Sequence, residues 1–488
     1  MILTPIEFGA LVLGLIVIWV SISLYRLRPI LNFAKNYKGY KFYPVLGNYL
    51  TLWKRDLYKV HLQTTKELGL PCNLWFGHNY YYLTDDLDVI KVILNHPATI
   101  DKGKLYDQLE IVFGDCLLLV SGDTWKDKRK FFSKSFTQSK LTGFVHHFYQ
   151  NSIVLLDCLK NSGDGDIFHV MGRYTFDSFC DSFLGKNYGL QTNAKNKFIE
   201  RIDELQAFAG NHFLIPVSFY LPIRLICILG SGTRILKTVN ELKQFIKRII
   251  DNKKDELAQN PVVDNQLSFV DIMMSDNQNL FPPEMIQNEF FLFATAATDT
   301  IANTSSYIMI LLGIYPDIQE KVYEEIITEI GKDKPIVPED LNRLKYTERF
   351  MYESMRIIPA VPIIVRYTTE DIPVGSKVIP KDVNVSISTM NVHRNEKYWP
   401  NPMKFDPDRF LPEEVAKRNP YCYLPFSLGA RNCIGKNYAL LSLKVVIANV
   451  VRNYKITTKY KSIEEVPLRS YITMRAAISP DLHFVPRN

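Results

Sequence analysis

The sequence predicts a mostly α-helical domain with a minor β portion, carried behind an apolar amino-terminal segment. Three observations lead there. Glu284 to Tyr315, lying between Pro283 and Pro316, has no internal helix breaker and is apolar on most faces, as a long buried helix requires. Lys54 to Asp276 reads mainly as amphipathic helical pattern. Alternation with turn residues is confined to Ile372–Thr389, which reads as a small sheet.

In chain order, the first element is Ile6–Tyr25, whose only charge is Glu7. About 20 apolar residues suffice to cross a bilayer. Arg26 and Arg28 follow while no Lys or Arg precedes, so the remainder is expected on the cytosolic side. A cleaved leader would need a basic start and a small-residue cleavage site, which are missing. Residues 1–28 are therefore read as a transmembrane anchor, 29–50 as a turn-rich linker containing Pro44, and 51–488 as one catalytic domain. Within that domain, Asp317–Ile330 predicts a helix closed by Gly331, and Pro338–Ile357 predicts another ending before Pro359.

The chain has 488 residues, 47% hydrophobic content and a formal charge of +7 spread along its length. That balance points away from nucleic acid and suits an acidic protein partner or an anionic membrane surface. Seven cysteines without a C-x-x-C pair argue against a disulfide framework or structural zinc. HExxH, P-loop and G-x-S-x-G patterns do not occur.

The densest motif is Phe426, Gly429, Arg431, Cys433 and Gly435, in the pattern F-x-x-G-x-R-x-C-x-G. Average residue usage would produce those five positions in about one such chain in ten thousand. Each has a task against a haem. Gly429 can adopt angles closed to other residues, and Gly435 lets the chain approach a flat macrocycle. Arg431 can hold a propionate, Phe426 can shield the sulfur, and a helix starting near Ile434 turns its positive end toward a thiolate. On these residues the chain resembles the cytochrome P-450 superfamily over nearly its whole length. The resemblance implies the fold of that superfamily and non-covalent haem b with Cys433 as the axial iron ligand.

Other landmarks agree. Glu353 and Arg356 match the E-x-x-R pair, and Phe405–Phe410 supplies Arg409. The resemblance makes these three a buried structural network. Trp125 and Arg129 match a W-x-x-x-R pair, and Arg366 a further position, at which the superfamily contacts haem propionates. On the long helix, Ala296, Ala297, Thr298, Asp299 and Thr300 match the oxygen-activation motif. Splitting dioxygen needs two protons delivered while bulk water stays out. Asp299 is expected to feed protons from solvent and Thr300 to hand them on. Ala297 stands where glycine is commoner, and Ile301 replaces a frequent second threonine.

The run Ser121–Phe136, with Leu344–Ile372, is similar to the animal family-four clan, particularly its insect members. In several of those, a glutamate at the position of Ala296 links covalently to haem; alanine implies the ordinary non-covalent group. The resemblance implies a monooxygenase that inserts one atom of O2 into an apolar substrate: a fatty acid, a terpenoid or hormone, or a xenobiotic. Its electrons would come from NADPH through NADPH-cytochrome P-450 reductase, with cytochrome b5 a further candidate donor, at the endoplasmic reticulum membrane. Lys126, Lys128, Lys130 and Lys436 could face such an acidic partner, and Phe213–Leu229 could border the substrate channel. The competing readings are a haem-thiolate isomerase or dehydratase, against which Asp299 and Thr300 argue, and a haem-binding protein without turnover.

Overall fold

A computed structural model describes residues 4–487 apart from 53–56, 162–165, 194, 213–232, 260–268 and 275–281. The stretch 213–229 lies outside the described residues. Helix α1 runs through Pro5–Arg26 as one element of 22 residues, with Leu11, Val17, Ile18, Trp19, Ile22 and Tyr25 exposed along it. Counting described residues alone, no helix is long and apolar enough to cross a membrane, and only part of the α1 side chains enter that count.

The segment expected as a linker is partly folded into the domain. Helix α2, Arg28–Ala34, buries Ile30 and Phe33. Strand β1, Lys38–Gly39, pairs in parallel with β2, Cys72–Phe76. Strand β3, Asn79–Thr84, follows, so Lys54–Asp276, mainly helical as expected, also carries two strands. These strands escaped the alternation rule because β2 and β3 are buried on both faces, Tyr80, Tyr81 and Tyr82 all included.

Next come α3 (Leu87–Asn95), α4 (Gly122–Ser133), α5 (Gln138–Asn161), α6 (Ile167–Leu184), α7 (Phe198–His212) and α8 (Thr233–Gln259). The long helix α9 is Pro283–Ile314, as expected, and packs most extensively on α6. Helix α10 (Pro316–Glu329) closes before Gly331, whose φ of +92° is the left-handed conformation glycine tolerates at a helix end. The next predicted helix is broken into α11 (Pro338–Leu341) and α12 (Lys345–Ile357). The break has a partner: Glu325 accepts the backbone N–H groups of Tyr346 and Thr347 at 2.6 and 2.8 Å, satisfying the start of α12.

The remaining strands are β4 (Ile363–Tyr367), β5 (Ile372–Val374), β6 (Lys377–Ile379) and β7 (Asn384–Ser388). The main sheet has the order β1-β2-β3-β7-β4, so β7 joins the amino-terminal hairpin to the strand after α12, while β5 and β6 form a separate hairpin. Helix α13 (Lys436–Asn453) packs on α5 and α9. Short pairs then close the chain: β8 (Tyr454–Thr457) with β11 (His483–Pro486), and β9 (Leu468–Ser470) with β10 (Met474–Ala476). The main apolar core lies between α5, α6, α9 and α13.

Candidate active site

The cysteine loop is held by its own backbone. Cys433 N–H donates to the Phe426 carbonyl at 2.9 Å, and Asn432 N–H to the Gly429 carbonyl at 3.1 Å. Gly429 has φ +75°, and a Cβ there would collide with the Leu94 carbonyl of α3, so two independent constraints require glycine. Gly435 caps α13, which begins at Lys436, two residues later than expected.

Cys433 is a free, accessible sulfur. Burial nonetheless pushes its thiol up, while the Gly435 backbone N–H, Arg129, Lys102 and Lys436 pull it down. The six described cysteines are all free.

Beside the sulfur stand four cations. Arg431 donates to the carbonyls of Ile100, Leu117 and Val120 at 3.0, 3.1 and 2.5 Å, and its guanidinium lies 4.4 Å from the Trp125 ring centre. Arg129 forks onto Asn432, 2.8 Å to its carbonyl and 2.6 Å to its Oδ1, and so braces the residue before the cysteine. Arg366, only 1% exposed, donates to the Val365 carbonyl at 3.0 Å and to Ser427 at 3.3 Å. Lys102 is the fourth: burial first, then Arg366 and Arg431, lower its pKa. Burial, with Arg366 and Arg129 beside it, likewise brings Arg431 down to about 9. Among the described residues, none of the three guanidiniums forms an ion pair with a carboxylate.

Asp101 offsets part of this charge through space, but a group of like charges without a bonded carboxylate is costly unless something anionic completes it. The two propionates of a haem would do so. The space fits as well, because a Cβ on Gly435 would meet nothing within 4 Å except the Cys433 sulfur, at 3.9 Å. Among the described residues no group of three or more His, Cys, Asp or Glu could hold a bare metal ion. The chemistry of the residues fits a haem, which Cys433 would ligate and Arg129, Arg366, Arg431 and Lys102 would hold by its propionates.

Glu353, Arg356 and Arg409 come together as expected. Arg356 grips Glu353 with Nε at 2.6 Å and a terminal nitrogen at 2.8 Å, both side chains fully buried. Arg409 approaches the same carboxylate at 3.5 Å, and Asp406 N–H donates to it at 2.9 Å. Arg356 also holds the His393 carbonyl at 2.7 Å, and His393 Nε2 accepts the Leu424 N–H at 2.7 Å. The network thus reaches to within two residues of Phe426.

On α9, the flanking turns are buried while Ala296 is exposed and Ala297 and Thr300 are half-buried. One face of a core helix is therefore open at mid-length. Thr300 donates its hydroxyl proton to the Ala296 carbonyl at 2.9 Å, which leaves its oxygen available as an acceptor. Asp299 departs from expectation: it is 4% exposed and turned away from solvent. It accepts from Thr473 at 2.7 Å, Asn303 at 3.2 Å and Arg475 at 3.3 Å.

Lys128 corrects a second expectation. It does not face outward but forms a buried pair with Glu289 of α9 at 2.7 Å, with exposures of 3% and 0%. Lys126, Lys130 and Lys436 are exposed. The sequence reading missed Lys102 and the Asp299 partners Thr473 and Arg475. Lys102 carries no motif, although Gly103, with φ +85°, marks the turn that places it.

The comparisons with known proteins agree with this geometry. The family model "Cytochrome P-450" matches residues 38–477. Cytochrome P-450 4c21 of Blattella germanica is 31% identical, covering 80% of this chain and 81% of its own. Cytochrome P-450 4V2 of Homo sapiens is 28% identical, with 92% and 88% covered. Probable cytochrome P-450 313a3 of Drosophila melanogaster is 29% identical, with 90% and 92% covered. An accessible cysteine beside cations that have no bonded carboxylate, on a mostly helical fold matched over most of its length by the family model and these relatives, makes the chain a member of the cytochrome P-450 family, the haem-thiolate monooxygenases.

Proposed function

We propose that the chain hydroxylates an apolar lipid, with Cys433 as the axial ligand of haem b and Arg129, Arg366, Arg431, Trp125 and Lys102 around its propionates. The observation that carries this is the cation cluster beside an accessible sulfur, with no carboxylate bonded to it. When bound, the haem activates dioxygen, so that one atom enters a C–H bond and the other leaves as water. The chain's own part is electrostatic. Gly435 N–H and the start of α13 favour negative charge on the sulfur, Phe426 limits water there, and Thr300 with Asp299 supplies protons on the opposite side.

Electrons would arrive from NADPH through its cytochrome P-450 reductase, with cytochrome b5 a second candidate donor. Lys126, Lys130 and Lys436 offer a positive face for docking. Helix α1 is read as the anchor in the endoplasmic reticulum membrane: its 22 residues at about 1.5 Å each would span the hydrocarbon core, and Leu11, Val17, Ile18, Ile22 and Tyr25 are exposed along it. Membranes extracted with alkaline carbonate are expected to retain the full chain and release one lacking residues 1–28.

The preference for a lipid or hormone-like substrate rests on the resemblance of Ser121–Phe136 and Leu344–Ile372 to the animal family-four clan. Purified protein with reductase, offered fatty acids, terpenoids, steroids and aromatic xenobiotics, tests this. The expected result is substrate-stimulated NADPH use and a hydroxylated product with a lipid. Turnover of aromatic xenobiotics alone would overturn the substrate class, and no NADPH use with any substrate would favour the reading without turnover.

A further inference from the structure

We infer that His169 is a positioning residue for the proton-delivering carboxylate, acting on Asp299 through Asp203 and Arg475. The inference rests on the reading of Asp299 and Thr300 as the proton source. Four elements meet in this chain of contacts: α6 gives His169, α7 Asp203, β10 Arg475 and α9 Asp299. His169 Nε2 lies 2.8 Å from Asp203 Oδ2, and that same oxygen pairs closely with one terminal nitrogen of Arg475. The other terminal nitrogen of Arg475 donates to Asp299 Oδ1 at 3.3 Å. Side-chain exposure falls along the path from 29% at His169 to 21%, 7% and 4% at Asp299, so only the histidine end meets solvent freely.

The contacts are unequal, and that inequality is the device. Arg475 is shared by two carboxylates and sits nearer Asp203 than Asp299. With His169 neutral, one guanidinium serves two acids, and Asp203 holds it. Asp299 then has the looser hold on the guanidinium and is the freer of the two carboxylates to turn. With His169 charged, Asp203 has two cations, Arg475 leans toward Asp299, and that carboxylate is held in place on its guanidinium.

The groups facing His169 are Asp203 from α7, Asp166 at the start of its own helix at 3.9 Å, and Arg475 from β10. The Asp203 hydrogen bond holds the histidine pKa above its ordinary value, against burial and Arg475. Raising pH through that titration should therefore release Asp299 for proton transfer. Coupling, the share of NADPH electrons recovered in product and not in hydrogen peroxide, should rise with it.

The test uses the haem-loaded full chain. His169→Gln stays neutral and can still donate to Asp203, so its coupling is expected to lose the pH dependence and to hold the high-pH value throughout. A structural readout accompanies it: NMR titration of His169 should move to lower pH in Asp299→Asn, because Arg475 then turns wholly to Asp203 and competes with the imidazolium. A wild-type coupling profile in His169→Gln, or an unmoved His169 titration in Asp299→Asn, would overturn the inference while leaving Asp299 its role. Normal coupling in Asp299→Asn would overturn that role and the inference with it.

Discussion

Two arginine clusters border the cysteine loop, and they are built on opposite principles. Around Glu353, the cations Arg356 and Arg409 share a buried carboxylate, and the surplus N–H groups end on the carbonyls of His393, Pro402 and Asn401. Around Cys433, no carboxylate among the described residues forms an ion pair with Arg129, Arg366 or Arg431, and Asp101 acts on Arg431 only through space. The first cluster is complete by itself and belongs to the fold. The second is complete only with an anionic ligand. Buried charge thus separates scaffold from site more sharply than motif spacing does, since a Glu-x-x-Arg spacing arises by chance about once in a chain of this length.

The comparison can be broken first at the closed cluster. Glu353→Ala would leave Arg356 buried without its carboxylate, which costs about 3–5 kcal/mol. Denaturant unfolding should show that loss with or without haem. A change below about 1 kcal/mol would mean that the cluster is not a closed structural unit.

Acid should attack the same region next. His393, which links Arg356 to Leu424, is held down to about 3 by burial and then by Arg356; His61 is held down to about 4 by burial, against the favourable Asn391 bond. Both are neutral when folded and take a proton on unfolding once pH falls below the ordinary histidine value of about 6.5. Stability is therefore full above that pH and declines as pH drops toward the folded values, by on the order of a few kcal/mol. Unfolding midpoints measured from pH 7 downward check the sign; a rise in stability on mild acidification would contradict it.

At the open cluster the expected effects divide by ligand state. Arg366→Leu removes a hydrogen-bonding charge from haem, worth about 2 kcal/mol or roughly thirtyfold in retention. The haem-free protein should be unharmed or steadied, because one member of a like-charged group has gone. Rates of haem transfer to a scavenger protein, set beside unfolding of the haem-free form, sharpen the contrast. Equal destabilisation of both forms would place Arg366 with the scaffold.

The smallest effects belong to the surface. Lys436→Ala and Lys130→Ala should weaken reductase binding a few-fold, in a salt-dependent way. Lys128→Ala should instead lower stability, since its partner Glu289 is fully buried.

Much of the site could be read from residue order, because its parts are local. The loop from Phe426 to Gly435, the Glu353 pair and the mid-helix Asp299–Thr300 pair each sit within a few positions, where chain geometry itself sets the distances. The long helix was equally plain, since Pro283 and Pro316 bound it. What stayed hidden depends on distant partners. Asp299 looked solvent-fed because its covering residues, Thr473 and Arg475, lie more than 170 positions away. Lys128 looked exposed because nothing in WKDKR announces Glu289. Strand β3 joins β7 across some 300 residues, and its wholly buried tyrosines show no two-residue alternation.

The most direct test of the account is the absorption spectrum of the reduced, carbon monoxide-treated full chain beside its Cys433→Ala variant. Wild-type protein is expected to absorb at about 450 nm and the variant to lose that band while remaining folded, since only a thiolate ligand produces it. A band that survives the substitution, or one that never forms in folded, haem-loaded wild type, would contradict the assignment of Cys433 to the iron.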